Sequence, residues 1–574
     1  MAQHGPSHGS RISLVKFFRQ FLDILKPEAS FYWLALVYGM GISLLSLATP
    51  ISVQMLVNTV ANTALTAPLV MLSLSLFGLL LIFGLLYALR IHLMELFARR
   101  FYARMVAEIS LISVYAQDPF FGDNKSSALF NRYFDVINVQ KSLPVLFIGG
   151  FSVVLQVAVG FVLVSLYHPL FLVFTLVMSA LIWVIWLVWG ARALRTGIDL
   201  SHAKHNTANW LETIGGSNGF FKSQKRVDYA LDRSDAYTHQ YLNARKRHFR
   251  QHFAQTLAFL VLYASASAAL LGMGGWLVIQ GQLTLGQLVA AELVLSVAFF
   301  GVAQLGTYLT YFYDLCAAVE EISLFYDVEQ EEPRGVGANI GDDHALVFKD
   351  VVGSARLGRA KFDLEIPSGA IIMAAASDHG IQRLFTNLLK AHEPPQSGWI
   401  TLGGSDYRDI EAYELRKDVH VLERATFVGM TLREYLSLSC RDTASKRMVG
   451  ALETVGLADT ISNLEKGLDT PIAHTGWPLS AVELQQLKLA NALLEQPRIL
   501  VLSRLFDLLD EADLARSITR LREQSYSTVI YFSGRRSDLG FDRFLYLEAE
   551  RQRYFSSFDE FCTAASGKAD MVGG

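Results

Sequence analysis

The chain has 574 residues, a net charge of −3 and a mean hydropathy of +0.31, with 52% hydrophobic and 18% charged residues. This composition excludes a disordered or fibrous chain and is unusual for a soluble enzyme, and the length exceeds that of one compact core. The near-neutral charge gives no reason to expect a nucleic-acid partner. The cysteines Cys316, Cys440 and Cys562 lie far apart, so neither a disulfide scaffold nor a cysteine-type zinc site is expected.

Apolar residues are concentrated in six stretches that end near residue 309. Each stretch has about 20 residues or more, the length that a helix needs to cross about 30 Å of hydrocarbon. None alternates polar and apolar residues as the strands of a membrane barrel do. The pattern predicts a bundle of six transmembrane helices, at Trp33–Leu56, Leu69–Leu89, Leu143–Leu166, Leu170–Trp189, Leu257–Ile279 and Leu285–Leu309.

Positive charge is distributed unequally between the connections. Three short segments contain no Lys or Arg, namely Asn58–Pro68, Tyr167–Pro169 and Gln280–Thr284. The two long segments on the other side carry many Lys and Arg residues. The positive-inside rule therefore places that side in the cytoplasm, together with both termini and the C-terminal region. The first 30 residues are polar and basic and lack a cleavage site of the small-residue type, so we expect the first span to be retained.

The two long connections, Arg90–Gln140 and Ala191–Gln255, are rich in helix-forming residues and poor in Gly and Pro. This composition predicts membrane helices that continue well into the cytosol and turn back near a tip. The turns are expected near Asp118–Asp123 and near Gly215–Gly219, where Gly, Pro or aromatic residues interrupt the helical pattern.

Two polar features of this half leave alternatives open. Glu292 lies about two turns inside the sixth span, where an uncompensated charge costs several kcal/mol. It is either a substrate or coupling contact that faces a polar cavity, or a protonated or water-exposed residue near the outer surface. The histidines His239, His248 and His252 lie in a basic helical stretch. A contact with lipid headgroups is one interpretation, and a solvated helix face is the preferred one.

The composition changes after Asp327. Val328–Asp343 is an acidic, Gly-containing linker, and from about Ala345 short β-branched runs alternate with helical patterns, as in an α/β domain. Strands are predicted at Ala370–Ala375, Val419–Leu422, Ile499–Leu502 and Thr528–Phe532. Helices are predicted at Gln382–Lys390, Ser445–Val455 and Val482–Glu495. The predicted organisation is a cytoplasmic segment at 1–30, a transmembrane domain at 31–327, a linker at 328–344, an α/β domain at 345–565 and a tail at 566–574.

Several stretches carry a resemblance to a known family. They are Leu285–Tyr311, Leu211–Lys225, Leu464–Ile472, Gly398–Gly404 with Asp406, and Leu415–Arg416. With the order of six spans, linker and α/β domain, they resemble a half-transporter of the ABC exporter superfamily over nearly the whole chain. The resemblance is greatest to the type I secretion branch, which moves proteins and peptides out of Gram-negative bacteria.

The resemblance implies a membrane α-helical bundle followed by a cytoplasmic α/β nucleotide-binding-like domain, in a multi-pass protein of the bacterial inner membrane. It implies lipid contact, a homodimer or a heterodimer with another half-transporter, exchange of helices between the subunits, and membrane-fusion and outer-membrane components as further partners. The short N-terminus is expected to leave no room for the peptidase domain of some relatives.

The family binds phosphate with a loop that resembles GxxGxGKS/T, whose backbone N–H groups surround the phosphates and whose Lys meets their charge. The matching stretch, Ala375–Leu384, keeps only Gly380 of the glycines. Ile381 stands where the Lys belongs and Gln382 where the magnesium-binding hydroxyl belongs. Arg383 is displaced by a helical rotation of about 200° and is expected to point away.

The family's magnesium-binding Asp and catalytic Glu follow an apolar strand. Here the strand Ile499–Leu502 is followed by Ser503 and Arg504, which reverses the charge at the place of the base. The switch His falls at Gly534.

The remaining nucleotide positions also depart from the family's pattern. The aromatic residue that would stack on adenine falls at Ala355, and the Gln of the Q-loop falls at Arg424. The LSGGQ signature corresponds to Leu479–Glu483, where Ala481 and Val482 replace glycines whose lack of a Cβ lets the backbone approach phosphate.

Gly380, Ser480 and Asp510 are the remnants of the family's nucleotide contacts. The preferred interpretation gives Ser480 and Asp510 structural roles, with Ser480 as the cap of the following helix and Asp510 as a turn residue. We therefore expect residues 345–565 to form a degenerate nucleotide-binding domain with no catalytic residue, no metal and no bound ATP or magnesium.

Two functions follow from this expectation. The first is a transport-related subunit for export of a protein, peptide or other substrate, with little or no ATPase activity of its own. The alternative is a non-transporting scaffold, sensor or regulator built on the exporter fold. An active ATPase with an unusual site is disfavoured.

Overall fold

The chain folds into two compact units, Met1–Glu331 and Glu332–Gly574. The structure is a computed structural model that describes residues 14–62, 66–117, 129–331, 335, 337, 340–341, 343–355, 358–423, 427–439, 445–523 and 527–566. The turn predicted at Asp118–Asp123 lies outside the described residues, as do Arg424 and Cys440.

The described part of the first unit is helical. Its α-helices are α1 (Leu14–Leu25), α2 (Ala29–Leu45), α3 (Ala48–Asn62), α4 (Thr66–Val114), α5 (Asp135–Val145), α6 (Phe151–Ser165), α7 (Pro169–Gly216), α8 (Gln224–Ile279) and α9 (Leu285–Tyr326). Among them are six segments that are long and apolar enough to cross a membrane, and each overlaps one of the predicted spans. They are Phe21–Val57, Leu69–Val114, Phe130–Ser165, Pro169–Gly216, Gln224–Ile279 and Leu285–Tyr326.

The first and third spans are less regular than the sequence pattern predicts. The first is divided between α2 and α3 at residues 46–47, because Pro50 has no N–H to donate to the carbonyl of Ser46. In the third, Pro144 precedes a π-helical turn at Leu146–Gly150 that joins α5 to α6. Gly149 lies in this turn, and a Cβ there would come within 2.4 Å of the Tyr308 ring.

The two long connections continue the membrane helices, as predicted. Helix α4 has 49 residues and extends past the end of its span to Val114. Helices α7 and α8 have 48 and 56 residues, so α8 is about 84 Å long. The predicted turn at Gly215–Gly219 is confirmed, since α7 ends at Gly216 and a 3₁₀ turn follows at Asn218–Phe221.

Buried carboxylates in the first unit are paired with cationic side chains of other helices. Asp135, at the start of α5, is 1% exposed and lies 2.5 Å from His205 Nε2 and 2.8 Å from Lys204 Nζ, both on α7. Glu321 on α9 is fully buried and forms an ion pair with Arg132. Because a buried charge is costly unless it is paired, these contacts join α5 to α7, and α9 to the 3₁₀ turn Phe130–Phe134 that precedes α5.

The second unit is an α/β domain. Its strands are β1 (Leu346–Ala355), β2 (Gly358–Ile366), β3 (Ile371–Ala376), β4 (Ser397–Leu402), β5 (Ser405–Asp406), β6 (Val419–Leu422), β7 (Met430–Thr431), β8 (Pro471–Ile472), β9 (Ile499–Leu502), β10 (Thr528–Phe532), β11 (Arg543–Leu547) and β12 (Gln552–Phe555). Its α-helices are α10 (His379–Leu389), α11 (Ala412–Asp418), α12 (Leu432–Leu438), α13 (Ser445–Thr454), α14 (Ala458–Ser462), α15 (Ala481–Glu495), α16 (Glu511–Glu523) and α17 (Phe558–Ser566). All predicted strands and helices of this domain are present, with ends that differ by up to three residues.

The main sheet of this domain has the strand order β12-β11-β3-β10-β9-β6, with β12 antiparallel and the other strands parallel. A second sheet, β2-β1-β4-β5, is antiparallel. Successive residues of the main sheet enter different cores, because strand side chains alternate between faces. Ile371 and Met373 lie in one core, while Ile372 and Ala374 lie in the other.

Candidate functional site

Three groups of the predicted positions meet at one edge of the main sheet. Strands β3, β10 and β9 are adjacent and parallel, so their carboxyl ends lie side by side. Ile381 follows β3, Ser503 follows β9 and Gly534 follows β10. Ligands of open α/β sheets bind at this edge, which makes it the candidate site.

The N-terminus of α10 is closed by a carboxylate of the chain itself. Asp378 caps the helix, and its Oδ2 accepts a hydrogen bond of 2.8 Å from the N–H of Gly380. The N–H groups of Ile381 and Gln382 donate to the backbone carbonyl of Asp378 at 3.2 and 3.3 Å. A helix N-terminus favours an anion, and here the anionic group is Asp378.

The position assigned to the phosphate-binding Lys is part of the hydrophobic core. Ile381 is 5% exposed and belongs to the cluster that contains Ile372 and Leu384. Gln382 is also buried, whereas Arg383 is exposed, as expected from its rotation on the helix. The first turn of α10 therefore directs an apolar side chain inward and presents no cation at the capped N–H groups.

The residues after β9 also have local structural partners. Ser503 is 7% exposed, its Oγ accepts a bond of 3.4 Å from the N–H of Leu505, and its own N–H donates to Leu422 O. Arg504 is exposed and begins a 3₁₀ turn that ends at Leu508. Ser503 thus caps this turn at the position where the family has its magnesium-binding Asp.

A hydrogen-bond network centred on Asp507 joins the segments after β9 and β10. The Asp507 Oδ1 accepts from Tyr531 Oη at 2.5 Å and from Ser533 Oγ at 2.7 Å, and its Oδ2 accepts from Gly534 N at 2.9 Å. Burial and the bond to Asp507 raise the pKa of the Tyr531 hydroxyl. Arg535 closes the network, because its guanidinium donates to the Asp507 carbonyl at 3.0 Å.

Asp507 was not among the predicted site residues, since it lies between two family motifs. Its partners Tyr531 and Ser533 are 24 and 26 residues away along the chain. The available signal was Tyr531, a residue with a hydroxyl inside the otherwise apolar strand Thr528–Phe532. A buried Tyr hydroxyl needs a hydrogen-bond partner, but the sequence alone does not show which residue that partner is.

The signature position forms the N-terminus of α15 and confirms the cap predicted for Ser480. Ser480 Oγ accepts from Glu483 N at 3.3 Å, while Glu483 Oε2 accepts from Ser480 N at 2.7 Å, which is a capping box. Ala481 is exposed and Val482 is half-buried in the same turn. A carboxylate of the chain therefore lies at this helix N-terminus as well.

The other predicted positions lie on separate elements. Asp510 is exposed and directly precedes α16, and its carbonyl accepts from Leu514 N at 3.0 Å. Ala355 is the last residue of β1, where it pairs with Gly358. In the described part of the chain, no group of three or more His, Cys, Asp or Glu residues has a geometry that could hold a metal ion.

The preferred interpretation of the basic histidine stretch holds for one histidine and is wrong for two. His239 is exposed and lies 3.4 Å from Asp235. His248 and His252 are half-buried because their rings bond to neighbouring helices, to Ala193 O on α7 at 3.2 Å and to Gly306 O on α9 at 2.9 Å. Ring nitrogens on this face of α8 therefore connect helices.

Glu292 is half-buried on α9. Its Oε1 accepts a bond of 3.2 Å from Ser296 Oγ, and its Oε2 is buried with no hydrogen-bond partner among the described residues. This oxygen is inaccessible to solvent, so at least part of the carboxyl group is enclosed by protein.

Comparisons with known proteins agree with this architecture. Residues 32–302 match the family of the ABC transporter transmembrane region. Over the whole chain the fold is similar to the structure of a bacterial Atm1-family ABC exporter with ATP bound, with a TM-score of 0.78 and 17% identity, covering 96% of this chain and 98% of that one. Residues 32–302 are therefore similar to ABC transporter transmembrane regions, and the chain has the ABC exporter fold, with six membrane helices followed by an α/β domain.

Curated relatives include several exporters. The mesentericin-Y105 transport/processing ATP-binding protein of Leuconostoc mesenteroides is 22% identical over 430 residues, 72% of this chain and 58% of that protein. The ATP-dependent lipid A-core flippase of Desulfotalea psychrophila is 24% identical over 56% of this chain and 57% of the relative. The leukotoxin translocation ATP-binding protein of Mannheimia glucosida is 23% identical over 57% of this chain and 47% of the relative. The matches thus span about half to three-fifths of these relatives.

Proposed function

We propose that the chain is a membrane subunit of an ABC exporter whose C-terminal domain neither binds nor hydrolyses ATP. It crosses a bacterial inner membrane six times, with both termini and the α/β domain in the cytoplasm. It serves the export of a protein, peptide or other substrate, as a homodimer or together with a second half-transporter. Membrane-fusion and outer-membrane components are further partners of the kind that the type I secretion resemblance implies.

The observation that carries this proposal is the closure of two helix N-termini by the chain's own carboxylates. In the family, the helix after the phosphate loop and the helix after the signature both face the triphosphate. Here Asp378 occupies the N-terminus of α10 and Glu483 that of α15. A triphosphate at either place would meet a negative charge and would have to displace an existing hydrogen bond.

The neighbouring positions offer no compensation. Phosphoryl transfer depends on positioning and on cationic stabilisation of the phosphates, which the family supplies with Lys and magnesium. Ile381 is packed in the core, Ser503 caps a turn, and the Asp507 carboxylate already accepts three hydrogen bonds. Magnesium could be bound by Asp507 only at the expense of these bonds.

A specific observation favours the alternative function, a non-transporting scaffold or sensor. The Asp507 network joins the segments after β9 and β10 to each other through groups of the protein alone. A domain fixed in this way provides a constant surface for partners. Co-purification with an active half-transporter would support the transport subunit, whereas a lone homodimer that keeps one conformation would support the scaffold.

Nucleotide-dependent melting tests the proposal. The purified chain in nanodiscs is expected to melt at the same temperature with and without Mg-ATP. The variant Asp378→Gly removes the capping charge from the N-terminus of α10, so it is expected to gain a small upward shift with Mg-ATP. Asp510→Asn removes one exposed negative charge outside the α10 N-terminus and serves as the control, with no shift. A shift of several degrees in the unmodified chain would overturn the proposal.

A further inference from the structure

An open cavity of about 510 Å³ lies in the first unit, between α7, α8 and α9. Its walls combine basic and apolar side chains. The basic residues are Arg245 and Lys246, and the apolar residues are Leu200, Leu242 and Phe249. The lining residues of α8 extend from Leu242 to His252, so the cavity follows this helix for about three turns.

The two cations of the cavity have no ion-pair partner. Among the described residues, neither Arg245 nor Lys246 lies within 4.0 Å of a carboxylate oxygen, and Arg245 makes only a long contact of 3.4 Å with Tyr241 Oη. The cavity also contains one carboxylate, that of Asp314. The three charged side chains leave a net charge of about +1, so the cavity attracts an anion.

The walls of the cavity are held in place by its histidines. His252 Nε2 lies 2.9 Å from Gly306 O and 2.7 Å from Thr310 Oγ1, which joins α8 to α9. His248 Nδ1 lies 3.2 Å from Ala193 O, which joins α8 to α7. Because these rings are engaged with the helices, Arg245 and Lys246 are the free polar groups of α8 at the cavity.

The position of the cavity relative to the membrane places its basic end in water. Arg245 lies about 18 Å along the helix before Leu257, where the predicted span begins, at about 1.5 Å per residue. The headgroup layer extends only about 5–8 Å beyond the hydrocarbon. The apolar side chains of Leu242 and Phe249, which are 51% and 60% exposed, lie on the same side of α8 within one turn of Arg245 and Lys246.

We propose that this cavity binds an anionic amphiphile, with its phosphate or carboxylate group between Arg245 and Lys246 and its apolar arm on Leu242 and Phe249. Charge-assisted hydrogen bonds from the two cations hold the head. The apolar arm displaces water from the exposed surfaces of Leu242 and Phe249, and burial of this apolar surface lowers the free energy of binding. Because the basic end lies in water beyond the headgroup layer, the ligand is a soluble anionic amphiphile and not a lipid of the bilayer.

Binding of hexyl phosphate to the full chain in phosphatidylcholine nanodiscs tests the proposal, with empty nanodiscs subtracted. Saturable binding is expected for hexyl phosphate and not for hexanol. In the variant Arg245→Ala/Lys246→Ala the Kd should rise by about tenfold or more, since two charge-assisted contacts are lost. The matched control is Arg247→Ala/Arg250→Ala, which removes the same charge from exposed positions of α8 outside the cavity and should leave the Kd unchanged.

Phosphatidylglycerol in the nanodiscs tests the position of the site. It should not compete with hexyl phosphate in the unmodified chain, and competition would show that the site takes a lipid headgroup and would overturn the assignment of a soluble ligand. Equal loss of binding in both double variants, or no saturable binding above empty nanodiscs, would overturn the proposal. The unmodified melting temperature of each variant shows that the fold is retained.

Discussion

The Asp135 and Glu321 carboxylates of the first unit and the Asp378 carboxylate of the second differ in the kind of partner that they have. In the first unit, the Asp135 and Glu321 carboxylates pair with cationic side chains of other helices. At the edge of the main sheet in the second unit, Asp378 accepts a hydrogen bond from the backbone N–H of Gly380. The Asp507 carboxylate accepts its hydrogen bonds from neutral N–H and hydroxyl groups, and the Arg535 guanidinium lies 4.0 Å from it. A carboxylate with cationic partners holds helices together, whereas one with neutral donors at a helix N-terminus takes the place that an anionic ligand would occupy.

The interior of the main sheet and the carboxyl ends of its strands contribute differently to the exporter fold. The alternation that sends Ile371 and Ile372 to opposite cores depends on apolar side chains inside the sheet. The residues at the carboxyl ends contribute little to that packing. Positions such as Ser503 and Arg504 can therefore vary without loss of the fold.

The largest effect is expected in the first unit, from Glu321→Gln. This change leaves the Arg132 guanidinium without its ion-pair partner, and breaking a buried pair costs about 3 kcal/mol or more. Thermal melting of the purified chain measures the loss. The exposed pair of Glu95 and Arg99 is the control, and Glu95→Gln should cost less than about 1 kcal/mol. Similar melting temperatures for both variants would mean that the buried ion pair contributes no more to stability than the exposed one.

A smaller effect is expected at the sheet edge from Asp507→Ala. The Tyr531 hydroxyl, in a residue that is fully buried, loses its acceptor, and an unsatisfied buried group costs about 1–3 kcal/mol. Asp510→Ala, three residues away and exposed, should change stability by less than about 0.5 kcal/mol. Equal melting temperatures for the two variants would mean that the Asp507 network does not stabilise the domain.

The capping box at the signature position predicts a loss of about 1 kcal/mol for Ser480→Ala. Thr431→Ala removes the same motif from α12 and should have a similar effect. Hydrogen exchange of the first turn of each helix measures both changes. Mg-ATP should alter exchange in neither helix of the unmodified chain, and protection of α15 alone would indicate that Ser480 contacts nucleotide.

The smallest effect concerns pH. Burial raises the pKa of the Asp135 carboxyl, but the hydrogen bonds and charges of His205 and Lys204 outweigh it and hold that pKa below its ordinary value. Its contribution to stability is therefore complete above about pH 4 and is lost as the pH falls through the lower folded-state pKa. Asp135→Asn should reduce the dependence of the melting temperature on acid pH, and an unchanged dependence would contradict the pairing.

Long apolar runs and local patterns made much of this structure predictable. The six spans follow from runs of about 20 apolar residues, and the cap at Ser480 follows from a Ser with a Glu three residues later. Pro50 is also a local signal for the division of the first span. It was not used, because the apolar stretch Trp33–Leu56 is long enough for one continuous helix. In each of these cases the determining residues are neighbours along the chain.

Contacts between distant segments could not be predicted in this way. The partners of Asp507 follow a different strand, and the ring of His252 bonds to a helix that starts more than 30 residues later. Asp378 is a local cap, but its importance depends on the position of α10 at the sheet edge. The sequence shows that Ile381 stands where the family has a Lys. Only the structure shows that the Asp378 carboxylate accepts a hydrogen bond at the N-terminus of the same helix.

Equilibrium binding of radiolabelled ATP, with magnesium, to the purified chain in nanodiscs tests the central claim most directly. The account predicts no saturable binding up to millimolar nucleotide, because carboxylates of the chain lie at the N-termini of α10 and α15 and the buried Ile381 stands at the position assigned to the Lys. Saturable binding of one nucleotide per chain at micromolar concentration would contradict it.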